Sequence, residues 1–199
     1  MGLTMLTGIF RSFRRAPRGA ITINMRTVRA AWGGGNQWLH QVTRHLRRAG
    51  YAVRCDLREP VDCILIAHSK PSESLAFGVD EVRVYRAEHP QTACLHRVNE
   101  NDQRKDTSFM DRLLAEANEL ADYTVFISEW LRDYHAARWF DASRPHAVII
   151  NGADPKIFHP RGGAEWTPGA PLRLVTHHWS DNWMKGFGGY QEIDRLIAD

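Results

Sequence analysis

Cysteine is scarce in this sequence, long apolar runs are missing, and acidic residues are absent from one end of it. The three cysteines, Cys55, Cys63 and Cys94, make no CxxC pair and no metal-ligand spacing with histidine. An odd number of them also speaks against a disulfide framework, so buried thiols in a reducing, cytoplasmic setting are expected and a metal site is not. No apolar stretch approaches the ~20 residues that a membrane-spanning helix needs, which excludes such a helix. Neither an internal repeat nor a low-complexity tract interrupts the chain. What is there is ordinary globular material: 199 residues, 43% hydrophobic and 25% charged, far from disordered or collagen-like compositions. A chain of this size buries roughly 70% of its unfolded surface, enough for one large domain or one and a half.

The formal net charge of +3 conceals an asymmetry. Residues 1–55 hold ten arginines and no Asp or Glu, a local charge of +10, whereas the other 144 residues carry 16 basic and 23 acidic groups and sum to −7. Such an end asks for an anionic partner: a membrane surface, a nucleic acid or a phosphorylated ligand. Arg44, Arg47 and Arg48 read equally as the solvated face of a helix. In residues 1–20, Leu6, Ile9, Phe10 and Phe13 fall at i, i+3, i+4 and i+7, with Arg11, Arg14, Arg15 and Arg18 largely between them and Pro17 closing the pattern. A basic amphipathic leader of this kind lies in a membrane interface, resembles an organelle transit peptide, or is a frayed end without a role. Peripheral attachment at the inner face of a membrane is therefore one expectation. No basic–aromatic motif like those of RNA-recognition domains accompanies the charge, so nucleic acid is not expected as a partner.

From residue 21 onward, short apolar runs alternate with helical stretches. Strands are predicted at 21–28, 52–57, 62–67, 92–98, 123–127 and 147–150, and helices at 37–49, 79–88, 109–121 and 129–139. The run Ile64, Leu65, Ile66 has the character of a strand buried on both faces, and Gly50 stands where a helix-ending glycine belongs. The alternation predicts an α/β fold, a Rossmann-like doubly wound parallel sheet over residues 21–160. Residues 161–171 are rich in breakers and read as a linker. Beyond them, 172–176 and 189–198 predict the first strand and helix of a second Rossmann-like domain, incomplete at residue 199.

Ligands of such sheets bind beyond the carboxyl ends of the strands, so four loops matter most. Gly33, Gly34 and Gly35 lead into a helix whose N-terminus offers amide groups to a phosphate, or they simply make a tight turn. The spacing is neither the GxGxxG dinucleotide fingerprint nor a P-loop. The run His96-Arg97-Val98-Asn99-Glu100 is dense in polar groups, costly to bury without a partner or ligand. Alternation puts His96 on one sheet face and Arg97 on the other, and an Arg97–Glu100 pair would satisfy both charges. Ser128 sits where it can cap the following helix. Asn151-Gly152-Ala153-Asp154 is a turn signal whatever its role.

Taken in order, these segments resemble the retaining GT-B glycosyltransferases of the family 4-like group. The glycine loop runs into a basic helix ending Ala-Gly-Tyr, "ADYTVFISEWL" resembles the family's strand–Ser–Glu–helix segment, and "VIINGADPKIFHP" is similar to its NG-x-D…F-x-P signature. "LRLVTHHWSDNWMKGF" resembles the first strand of the second domain, leading to the Lys-Gly of the donor site. The resemblance covers residues 21–199. It implies two facing Rossmann-like domains, with acceptor held mainly by the first and a nucleotide-sugar donor by the second. It places Gly33, Gly34, Gly35 and Lys185 on the donor diphosphate, where amides and a cation stabilise the leaving group. His96, Arg97, Asn99, Glu100 and Ser128 become the candidates to contact acceptor or transferred sugar. No catalytic base, metal or cofactor is assigned. The interval before Lys185 lacks the arginine that family members pair with this lysine, leaving His178 and the indoles as partial substitutes.

The expectation is thus a glycosyltransferase acting with retention on a glycan, lipid-linked or other envelope acceptor, with a chain this short inactive alone. The alternative is a non-catalytic sugar- or membrane-binding module that needs a partner.

Overall fold

The computed structural model describes residues 17–28, 33–163, 165, 167–171, 173–176 and 183–198. Residues 1–16 of the leader, Trp32 beside the glycine loop and the 177–182 interval before Lys185 lie outside them. Six strands, β1 (Ala20–Ile23), β2 (Ala52–Arg54), β3 (Cys63–Ile66), β4 (Ala93–Val98), β5 (Tyr123–Phe126) and β6 (His146–Val148), form one sheet. Their order is β2-β1-β3-β4-β5-β6, every neighbouring pair parallel. The helices are α1 (Gly34–Arg48), α2 (Val79–Glu88), α3 (Asp102–Lys105), α4 (Met110–Glu119), α5 (Glu129–Ala136) and α6 (Phe187–Ala198), with a 3-10 turn at Trp183–Lys185. This is the Rossmann-like α/β architecture that the alternation predicts.

Period-two alternation divides the core between the two faces. On β3, Ile64 and Ile66 are fully buried and pack with Val82 and Tyr85 of α2, while Leu65 joins Ile21 and Ile23 under α1. A third cluster, Val98, Phe126, Met110, Leu114, Leu131 and Phe140, fills the space between β4, β5 and the helices α4 and α5. Each fully buried aliphatic side chain contributes roughly 1.5–3 kcal/mol relative to exposure. In α1 the stripe Trp38, Leu39, Val42 and Leu46 faces the sheet. The last turn carries His45, Arg47 and Arg48, which suit the negative end of the helix dipole. Part of the N-terminal positive charge is therefore helix chemistry. Gly50 follows with φ +92°, the left-handed residue that ends the helix.

Several boundaries differ from the sequence expectation. β1 stops at Ile23, five residues short, because Asn24 turns its side chain into the sheet edge. α1 begins on Gly34, so two of the three glycines are helical. The short helix α3 was not foreseen. Of the strand expected at 172–176, the described residues 173–176 are not in strand, and Leu174 and Val175 are exposed. The helix after Lys185 is present and begins at Phe187. Among the described residues, no helix is long and apolar enough to cross a membrane.

The strand order reverses between β1 and β3, since the chain passes from β1 to β2 on one side and from β3 to β6 on the other. The loops leaving β1 and β3 run together there: Met25 bridges Leu75, and the Arg26 and Ala76 amides donate to the Ser74 and Asn24 carbonyls at 2.8 and 2.9 Å.

Candidate functional site

Asn24, fully buried, joins the carboxyl ends of β1 and β3. Its Oδ1 accepts from the Ala67 and His68 amides at 2.8 and 3.1 Å, and its Nδ2 donates to the His68 carbonyl at 2.6 Å. The loop bearing His68, Ser69 and Lys70 is thereby tied to the end of β1. Asn36, also buried, does the same for the glycine loop: it exchanges two 2.9 Å hydrogen bonds with the backbone of Val28. Gly33 caps α1 without a side-chain bond, and no acid occupies the first turn, so among the described residues nothing anionic in the helix itself satisfies this end. Among the described residues, a Cβ at Gly34 meets nothing within 4 Å, and one at Gly35 meets the Met25 methyl at 3.8 Å. Packing among the described residues therefore does not require glycine at either position.

Arg97 is the central cation of the edge. It is 7% exposed and its guanidinium lies 4.0 Å from the centre of the Trp38 ring of α1. Its Nη2 donates to Asn151 Oδ1 at 3.1 Å. Burial pulls its pKa down to about 10, while the Glu100 carboxylate acts in the opposite direction. One turn along α1, Gln41 donates to Asp154 at 3.2 Å and Arg44 reaches the same carboxylate at 3.5 Å. The residues Trp38, Gln41 and Arg44 lie on one helix face at a spacing of three. That face links the segment after the glycines, the charged end of β4 and the Asn-Gly-x-Asp loop.

The loop after Arg97 is held from beneath. Asn101 caps α3, accepting from the Arg104 amide at 2.7 Å. Asp102 accepts from Thr107 Oγ1 at 2.6 Å and from the amides of Met110 and Asp111 at 2.7 and 3.2 Å, an anion at the start of α4. Burial alone would raise its pKa, but these bonds hold the carboxyl below its ordinary value. His135 Nε2 donates to the Glu100 carbonyl at 3.0 Å.

A cavity of about 190 Å³ opens between the β3–α2 loop, the β4–α3 loop and α4. Arg97, Asn99 and Glu100 line it together with His68, Ser69 and Lys70, and Met110 and Leu114 supply apolar wall. Of the sequence candidates, the structure thus brings Arg97, Asn99 and Glu100 to one cavity. His96 is not among its lining residues. It points to the other sheet face, is fully buried, and its Nδ1 accepts from Asn118 Nδ2 at 3.1 Å. Burial pulls its pKa down to about 3, and the proximity of His135 adds to the effect. His96 is part of the polar core and does not reach a ligand there. Ser128 caps α5, accepting from the Leu131 amide at 3.2 Å. Lys185 ends the 3-10 turn, and the ring contacts around it, Trp183 on Phe187 and Phe187 on Tyr190, lie within the same segment. The sequence reading missed Asn24, Trp38 and the trio His68, Ser69, Lys70; a polar run directly after the doubly buried β3 was the available signal. Among the described residues, no group of three or more His, Cys, Asp or Glu is arranged to hold a metal ion. No protein-family model, no curated protein and no solved structure matches this chain.

Proposed function

We propose that this chain forms the acceptor-side domain of a retaining GT-B glycosyltransferase of the family 4-like group, with the beginning of the donor-side domain at residues 172–199. The reaction is transfer of a sugar from a nucleotide-sugar to a glycan or lipid-linked acceptor. The observation that carries the reading is the joining of three motif segments through one face of α1: Trp38 on Arg97, Arg97 on Asn151, and Gln41 and Arg44 on Asp154. These segments lie far apart in sequence, and two of them, the helix after the glycine loop and the 151–154 loop, carry part of the family resemblance.

In this reading Gly33, Gly34 and Gly35 present an uncapped helix N-terminus to the donor diphosphate, and Lys185 adds a cation from the second domain. Arg97, Asn99 and Glu100 orient the acceptor through planar groups suited to paired hydroxyls. No metal or cofactor is needed. Saturation-transfer-difference NMR with free oligosaccharides and with UDP-, GDP- and ADP-glucose tests the reading. Transfer of saturation to saccharide protons is expected; a protein that gives none with any of them is not a sugar-binding domain.

A second reading, a module that docks on anionic surfaces, draws on α1. His40, Thr43, Arg44, Arg47 and Arg48 line an open groove of about 540 Å³ on its outer side. Flotation with vesicles containing anionic lipid tests it, and unchanged flotation after Arg47→Ala and Arg48→Ala contradicts it.

A further inference from the structure

The cavity between the β3–α2 loop, the β4–α3 loop and α4 has a wall that the reading above leaves unused. We infer that this cavity is an oxyanion site, taking a carboxylate or phosphate borne by a ligand of monosaccharide size, with Arg97 and Lys70 supplying charge and Ser69 a hydroxyl.

Arg97 is a guanidinium taken out of water that touches an aromatic face and a neutral amide, with the Glu100 carboxylate in electrostatic reach of it. A buried cation of this kind is stabilised by an anion brought within hydrogen-bonding distance. Lys70 stands at the rim, exposed, with its ammonium 5.6 Å from the centre of the Phe109 ring. Ser69 Oγ is buried and has no hydrogen-bond partner among the described residues, an unmet group that a ligand oxygen satisfies. Glu100 stands on the same wall, so two cations face one carboxylate and the balance favours an anion. Met110 and Leu114 provide an apolar surface for the C–H face of a sugar ring.

At about 190 Å³ the cavity is smaller than the roughly 300–1,000 Å³ of sites that enclose drug-sized ligands. It suits one charged ring or head group and is too small for a whole nucleotide. The Asn24 bonds to residues 67 and 68 hold the loop in place before any ligand arrives, which lowers the ordering cost of binding. The inference rests on the glycosyltransferase reading only in making that anion part of the acceptor; the site itself does not depend on it.

Isothermal titration of the 199-residue chain with glucuronate, glucose 6-phosphate, glucose and inorganic phosphate tests it. The two charged sugars are expected to bind about tenfold or more tightly than glucose, as a charge-assisted contact implies. Lys70→Ala and Ser69→Ala are each expected to weaken them by roughly three- to tenfold. Lys70 is exposed, so its variant keeps the fold and the test does not hang on Arg97→Ala. Glucose binding as tightly as glucuronate would overturn the inference while leaving a sugar-binding domain intact. Inorganic phosphate binding that depends on Lys70, with neither charged sugar bound, would overturn the inference of a sugar-borne anion. Anion binding unchanged in both variants, or no anion binding, overturns the inference.

Discussion

The Arg97 guanidinium lies 4.0 Å from the centre of the Trp38 ring, and this stack holds the charged end of β4 against α1. A planar cation on an indole face gains about 0.5–2 kcal/mol, more as it is desolvated. Trp38→Leu is therefore expected to cost about 1–3 kcal/mol in urea unfolding, through the lost stack and the lost ring volume. Arg97→Lys keeps the charge but loses both the flat face and the geometry of the Asn151 bond. It should destabilise nearly as much as Trp38→Leu, and a near-neutral Arg97→Lys would show that charge alone matters there.

Asn24 serves two strands at once, and its loss leaves buried amides of residues 67 and 68 without their acceptor. Asn24→Ala is expected to cost about 2–3 kcal/mol. Hydrogen exchange at the Ala67 and His68 amides should accelerate beyond the change in global stability. Exchange that merely tracks global unfolding would mean that the loop is held by other contacts.

The buried histidines give the fold an acid limit. An unfolded histidine titrates near 6.5, whereas His96 in the fold is held down to about 3 by burial and His135 is shifted the same way. Between those values only the unfolded chain takes the proton. The stability that His96 contributes is thus complete above about pH 6.5 and falls with acid by about 1.4 kcal/mol per pH unit, and His135 acts in the same direction. His96→Asn retains an acceptor for Asn118 and should flatten the decline measured by urea midpoints between about pH 7 and pH 4.5. An unchanged slope would remove His96 from the account.

Gly34 separates a folding role from a ligand role. With no described atom within 4 Å of a Cβ, Gly34→Ala should stabilise α1 by up to about 0.5–1 kcal/mol. If a diphosphate approaches these amides, the same variant binds nucleoside diphosphate more weakly. A variant that loses stability would show the glycine to be a packing requirement.

Much of the sheet was legible because buried parallel strands and amphipathic helices carry their periods openly. α2 falls at the expected bounds, and the alternation in β4 correctly sends His96 and Arg97 to opposite faces. Ser128 as a cap was equally local. What was not legible depended on distant partners. Asn24 looks like any residue after a strand until its contacts with residues 67, 68 and 77 are seen. Trp38 belongs to the edge only because the fold brings α1 across it. The run at 172–176 had the right pattern for a strand, but strand formation needs a neighbour, and the described residues there are not in strand.

The central claim is that the loops after β1, β3, β4 and β6 form one sugar-binding edge. Amide NMR of the chain titrated with glucuronate and with a neutral oligosaccharide tests it most directly. The account predicts shifts concentrated at residues 67–70, 97–101 and 151–154, with those at 33–35 responding to nucleoside diphosphate. Shifts confined to the opposite end of the sheet, or none at saturating ligand, would contradict it.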